Sequence, residues 1–233
     1  MPKVKIKRKS TLVDMTAMCD VAFLLLTFFI LTSKFRPQDP VEINMPASVS
    51  ERKIADADIM IMQIDKEGRT YLGTDNQQVR QRALEVMLRT NPYAAYKDKF
   101  ATEDIMTAFK KTESFGAPFP MIPDIMSGKI ANDGKHTPGF PIDSLKSPVR
   151  RNELGDWLVA FRQAHLELAN EKADGQLKMS SYNYIRLAIK GDGLTEYPEV
   201  EKIFNTLKDR SINKFDLITN MKGGETASKN VEQ

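Results

Sequence analysis

The sequence predicts an α+β fold: one N-terminal transmembrane helix, then a small two-layer domain carrying a largely helical and irregular insert. Three observations predict it. Leu12 to Thr32 is a 21-residue segment dominated by apolar side chains. The rest of the chain holds short β-type runs near both of its ends, each set accompanied by an amphipathic helical pattern. Between those two sets lies a long stretch with two helical patterns and a Pro/Gly-rich middle.

The transmembrane segment comes first. At about 1.5 Å per residue, Leu12 to Thr32 makes a helix of roughly 30 Å, the thickness of a hydrocarbon core. Val21 to Leu31 is almost purely apolar, and Lys34, Arg36, Pro37 and Pro40 follow it. Lys3, Lys5, Lys7, Arg8 and Lys9 put five positive charges before residue 10, against a formal net charge of +3 for all 233 residues. The remainder is therefore slightly acidic, which excludes a basic nucleic-acid surface. The same five cations favour a cytoplasmic N-terminus. A cleaved secretory signal also begins with basic residues and an apolar run. Against it, no A-x-A-like site follows the run, and an acid, Asp20, sits beside it with more apolar residues before it. Cys19 precedes the apolar run, which opposes a lipoprotein signal. As the single cysteine, it also allows no intrachain disulfide.

Asp20 is the most informative residue. A carboxylate at the centre of a spanning helix costs roughly 2.5–3.5 kcal/mol, and such residues face a partner or a water-filled path. At about 100° per residue, with Thr16 at 0°, Asp20 falls at about 40° and Thr27 at about 20°. The polar residues within the span share one face. An Asp merely reaching for the headgroups is the plainer reading, but its side chain is too short to snorkel as lysine does.

Asp14-Met-Thr-Ala-Met-Cys-Asp20-Val-Ala-Phe-Leu-Leu-Leu-Thr-Phe-Phe resembles the membrane signature of the ExbD/TolR biopolymer-transport family. Ala17 stands where that family usually has proline. Val41-Glu-Ile-Asn-Met-Pro-Ala-Ser48, with Asn44, Met45 and Pro46, is similar to the family's Asn-Leu-Pro stretch after the span. The resemblance implies that Asp20 is a proton-binding aspartate, with Thr16 and Thr27 supporting it on one helix face. It implies an inner-membrane protein with its C-terminal domain in the periplasm. It also implies a second ExbD-like chain, in a homo- or heterodimer, whose helices sit inside an ExbB-type pentamer. Force would pass to a TonB-type periplasmic protein, with protons as the coupling ion and no other cofactor. A TolR-like role in envelope maintenance is the alternative within the family. A passive membrane-tethered binding domain is the alternative outside it.

The exported part is then read element by element. Residues 34–58 form a polar linker with Pro37, Pro40 and Pro46. Ile59–Ile64 is a strand, Asp65–Gly68 a turn and Arg69–Leu72 its partner. Gln77–Leu88 carries Val79, Ala83, Val86 and Met87 on one helical stripe. Tyr184–Ile189 is a strand, Val200, Ile203, Phe204 and Leu207 mark a helix, and Phe215–Thr219 is a final strand. The order is β-β-α-insert-β-α-β, similar to the small periplasmic domain of the family. The insert, about 91–182, departs from that family. It predicts helices at Thr102–Lys111 and Glu153–Asn170, the second striped by Leu154, Trp157, Leu158, Phe161, His165 and Leu168. Thr112–Arg150 holds six prolines and four glycines, which predicts an irregular loop that binds something or covers an edge. The chain thus divides into a basic tail (1–11), a transmembrane helix (12–33), a linker (34–58), a domain (59–221) and a flexible tail (222–233).

No enzyme is expected. His136 and His165, with one cysteine, do not make a His/Cys metal site. Lys190-Gly-Asp-Gly193 lacks the spacing of a phosphate loop. Asp192 and Asp216 are read as loop and strand-edge residues. No nucleophile elbow or Ser/His/Asp pattern appears. Topology is directly testable: protease added to spheroplasts is expected to digest residues 41–233 and spare the N-terminal tail, and protection of the whole chain would overturn the predicted orientation.

Overall fold

The computed structural model describes residues 15–32, 40–48, 58–174 and 184–221. The basic tail, residues 12–14 and 33 of the expected span, and the tail after residue 221 lie outside the described residues, as do parts of the linker and the end of the insert. The chain divides into two units, Met1–Gln38 and Asp39–Gln233.

In the first unit, α1 covers Met15–Thr32, 18 residues. Leu, Phe and Met side chains hold the helix, and Thr27 and Thr32 fold their hydroxyls back onto the carbonyls of Leu24 (2.9 Å) and Phe28 (2.7 Å). No side chain of α1 is buried by the described chain. A helix that is apolar all round and covered on no face needs an apolar solvent or partner helices. It is the one helix among the described residues long and apolar enough to cross a membrane.

The second unit opens with the short strand β1 (Ala47–Ser48) and then β2 (Ile59–Ile64). The chain reverses through Asp65–Gly68 into β3 (Thr70–Thr74). Gly68, at φ +76°, supplies the left-handed residue that the turn needs. Asp65 secures the turn by accepting the Glu67 and Arg69 amides at 2.9 and 2.8 Å and the Arg69 guanidinium at 2.6 Å. Helix α2 (Gln77–Arg89) starts at Asn76, whose side chain accepts the amides of Gln78 and Val79. After a 3-10 segment at Tyr93–Phe100 come α3 (Glu103–Lys111), the two-residue β4 (Ser114–Phe115), α4 (Ile122–Met126) and α5 (Glu153–Lys172). Then follow β5 (Arg186–Gly191), α6 (Tyr197–Asp209), β6 (Phe215–Ile218) and β7 (Asn220–Met221).

Five strands form one sheet in the order β4-β3-β2-β5-β6. The β2–β3 and β3–β4 pairs are antiparallel; β2–β5 and β5–β6 are parallel. Alternation along the strands puts Met60, Met62, Ile64, Leu72, Leu187 and Ile189 into one core cluster with α2, α5 and α6. The expected α+β fold and its β-β-α-insert-β-α-β order are present. The strand expected at Tyr184–Ile189 lies instead at Arg186–Gly191. Parallel pairing to β2 draws in Lys190 and Gly191, which face Gln63 and Ile64.

Thr112–Arg150 is mostly irregular, and it packs into the core as well as meeting a sheet edge. Phe115, Phe119, Ile122 and Phe140 are each 4% exposed or less. They surround Trp157 of α5, with ring centroids of Phe115 at 5.0 Å and Phe119 at 5.9 Å. The loop also adds β4 to the sheet edge and reaches its other face, where the Tyr71 hydroxyl donates to the Thr137 carbonyl at 3.0 Å. Prolines and glycines allow the path; aromatic burial fixes it.

Three buried charges tie the insert down. Arg80 of α2 donates to the Thr74 carbonyl and, at 2.8 and 3.1 Å, to the Lys110 carbonyl at the end of α3. Burial holds its pKa below the usual arginine value. Asp156 accepts from the Tyr93 hydroxyl at 2.7 Å and pairs with Arg151 and Arg210, each at 2.8 Å. Glu153 is fully buried; it accepts the Phe119 amide at 2.6 Å and the Ser147 hydroxyl, joining both arms of the loop to α5.

Burial pushes the Glu153 carboxyl above its ordinary value of 4.5, against the lowering effect of those two hydrogen bonds. The folded state therefore holds this proton at pH values where the unfolded chain has released it. That contribution is complete below the unfolded pKa and is lost as pH rises through the folded one. Chemical unfolding of the full chain in detergent is expected to show this slope, and Glu153→Gln to remove it. Glu153→Ala strands the buried Phe119 amide and is expected to cost about 1–3 kcal/mol. An unchanged slope in Glu153→Gln would assign the pH dependence elsewhere.

Candidate functional site

Asp20 lies in the second turn of α1 and is its one charged residue. Helical spacing places Thr16 one turn before it and Thr27 about two turns after it, roughly 10 Å along the axis, on the same face. The Thr27 hydroxyl is already donated to the Leu24 carbonyl, so toward any group beside it Thr27 presents oxygen lone pairs. Leu24, Leu25, Phe28 and Phe29 cover the other faces and are all exposed. The helix thus presents one ionisable carboxyl within an otherwise apolar cylinder. Chemically this carboxyl can bind and release a proton, and it is the one carboxyl on α1.

The linker motif is docked on the second unit by its backbone. The Asn44 amide donates to Asp192 Oδ2 at 3.0 Å, and the Gly193 amide donates back to the Asn44 carbonyl at 3.0 Å. Asp192 Oδ1 accepts the Leu194 amide at 2.9 Å, and the Asp192 amide donates to the Ile64 carbonyl at 3.0 Å. Both carboxylate oxygens are thereby used at the carboxyl ends of β2 and β5. Upstream, the Pro40 carbonyl accepts the Gly134 amide at 2.8 Å, a contact with the insert. Between the two clasps Ile43 is buried, while Asn44 and Pro46 stay exposed and Met45 is half-buried. Downstream, Ala47 and Ser48 pair in parallel with Asn220 and Met221. The linker is thus held at three places, by an insert turn, by the Asp192–Gly193 turn and by β7.

Asp192, read from sequence as an ordinary loop residue, is the clasp. Nothing in Lys190-Gly-Asp-Gly193 points to a partner 148 positions away. Asp216 does sit at the sheet edge, paired with Arg186 at 2.5 Å. His136 is exposed, with Nδ1 2.8 Å from Asp133. His165 lies half-buried on α5, where burial holds its imidazole below the usual range. Among the described residues, no group of three or more His, Cys, Asp or Glu side chains is arranged to hold a metal ion.

Comparison with known proteins bears on the segment that carries these features. The family described as biopolymer transport protein ExbD/TolR matches residues 7–102, from the basic tail through α2 to the edge of α3. Over 42 residues the chain is 40% identical to biopolymer transport protein exbD2 of Vibrio cholerae serotype O1, a match that takes in 18% of this chain. It spans 31% of that relative's length. No solved structure matches the chain. The apolar helix, Asp20 and the Asn44–Pro46 stretch all lie inside the region that is similar to the ExbD/TolR family.

Proposed function

We propose that the protein is a single-pass inner-membrane subunit of a proton-driven energy transducer, of the ExbD-like kind that its Vibrio relative's name describes. Its helix sits within an ExbB-type pentamer beside a second ExbD-like chain, and its C-terminal domain faces a TonB-type partner in the periplasm. Asp20 binds the proton. One observation carries this reading: a lone carboxyl on an apolar helix whose side chains the described residues leave unburied.

The energetics agree. Moving one charge through the membrane potential releases about 2.3 kcal/mol per 100 mV, comparable with the roughly 2.5–3.5 kcal/mol that a central charge costs. A change of protonation can therefore switch the helix between two settings in its pore. The linker carries that change outward, since its backbone is clasped at Asp192 and at β7.

Asp20→Asn keeps size and polarity but cannot ionise. It is expected to leave the complex assembled and to abolish proton-dependent transport, whereas Thr27→Val only weakens it. Full transport by Asp20→Asn at normal expression would leave a passive tether as the better account. The linker is tested separately. Asp192→Ala removes the acceptor of the Asn44 amide, and hydrogen exchange at residues 43–45 is expected to rise about tenfold or more, the equivalent of one lost hydrogen bond. Unchanged exchange would show that the other two attachments hold the linker alone.

A further inference from the structure

A groove of about 1000 Å³ opens at the amino ends of β5 and β6, the end of the sheet opposite the Asp192 clasp. Arg162, Arg186 and Lys214 line it against the single carboxylate of Asp216, an excess of two positive charges. Two of the cations are held in place. The Arg162 guanidinium lies 4.3 Å over the Tyr184 ring and donates through Nη1 to the Arg210 carbonyl at 3.4 Å. That bond covers a carbonyl at the carboxyl end of α6, which would otherwise repel an anion. Arg186 is aligned by its 2.5 Å bond to Asp216. Each guanidinium spends only part of its donor fork in these contacts. Lys214 makes no ion pair among the described residues.

The loop that carries Lys214 is ordered by the end of α6. Ser211 takes a left-handed φ of +54°, and the Ile212 amide donates back to the Leu207 carbonyl at 2.8 Å. Ile212 is buried, while Ser211 and Asn213 are exposed and line the groove beside Lys214. Their hydroxyl and amide add neutral donors to the three cations. Apolar lining residues such as Met60, Leu187 and Ile212 are 8% exposed or less, so the groove has a closed floor with no slot deep enough for an acyl chain.

We infer that this groove binds a phosphate monoester group, carried on a soluble molecule or on a lipid headgroup. Such a group carries about −1.5 to −2 charge near neutral pH, which matches the excess of two cations. A single carboxylate would match only half of it. The phosphate also offers three acceptor oxygens in a tetrahedral array, enough to meet arginine forks, an ammonium and a hydroxyl together. The groove is larger than the group and leaves room for the molecule that bears it. The inference does not rest on the transducer reading, and Asp20→Asn tests that reading without involving the groove.

The test is calorimetric titration of the full chain in phosphatidylcholine nanodiscs, at neutral pH and constant ionic strength. The ligands are glycerol 3-phosphate, water-soluble dihexanoyl phosphatidic acid, and succinate as a dianion without phosphate. Saturable binding of a phosphate ligand is expected, with succinate much weaker. Tighter binding of the phosphatidic acid assigns the source to a lipid headgroup, and tighter binding of glycerol 3-phosphate assigns it to a soluble ester; either upholds the site. Lys214 is exposed, so Lys214→Ala leaves the fold intact; it is expected to weaken binding about tenfold, the loss of one charge-assisted hydrogen bond. Lys129→Ala removes an exposed cation that does not line the groove and is expected to change nothing. No saturable binding of either phosphate ligand, equal binding of succinate, or equal losses in Lys214→Ala and Lys129→Ala would each overturn the inference.

Discussion

The parallel pairing of β2 with β5 is the constraint on which the second unit depends. Ile59 faces Arg186 and Ile64 faces Gly191 across more than a hundred intervening residues. A parallel pair cannot be closed by a tight turn, so the chain must leave the sheet and return. Here it leaves through β3 and α2 and returns through the whole insert. Closing a longer loop costs only about 0.6 kcal/mol per doubling of its length. The excursion is therefore tolerable, provided the added residues bury a core of their own. They do so around Trp157.

The same pairing positions the linker clasp. The carboxyl ends of β2 and β5 lie side by side, and the Asp192 amide bonds the Ile64 carbonyl. The Asp192 carboxylate is left to receive the Asn44 amide. Helix α5 is joined to its surroundings by Asp156, which meets Arg210 just after α6 and Tyr93 just after α2. Gly155 makes room for this: a Cβ there would come within 2.8 Å of the Arg210 Nε atom. Buried carboxylates contribute little net stability, but removing one partner is costly. Such a network fixes where the insert sits more than it strengthens the fold.

The membrane unit obeys a different constraint. Its backbone is satisfied by helical hydrogen bonds, and Thr27 and Thr32 donate to the carbonyls of Leu24 and Phe28 one turn back. Asp20 is the exception, a group whose burial is tolerable only while it is neutral or partnered. The described helix supplies no counter-charge.

The sequence by itself determined whatever is encoded within a few neighbouring residues. The apolar run of α1 and the position of Asp20 could be read directly. So could the Asp65–Gly68 turn, the starts of α3 and α5 within one residue, and the β-β-α and β-α-β blocks. These follow from local periodicity, turn chemistry and caps, which act over one or two helical turns. The tertiary structure alone decided what meets across long separations. Asp192 and Asn44 meet because β5 returns parallel to β2, and no spacing rule links positions so far apart. The Pro/Gly-rich Thr112–Arg150 reads as loose because its breakers dominate every short window. Its buried phenylalanines find Trp157 only after the sheet and α5 are in place. The place of β6 at the end of the described sheet is likewise invisible in Phe-Asp-Leu-Ile, since a strand's place in a sheet depends on its neighbours and not on its own residues.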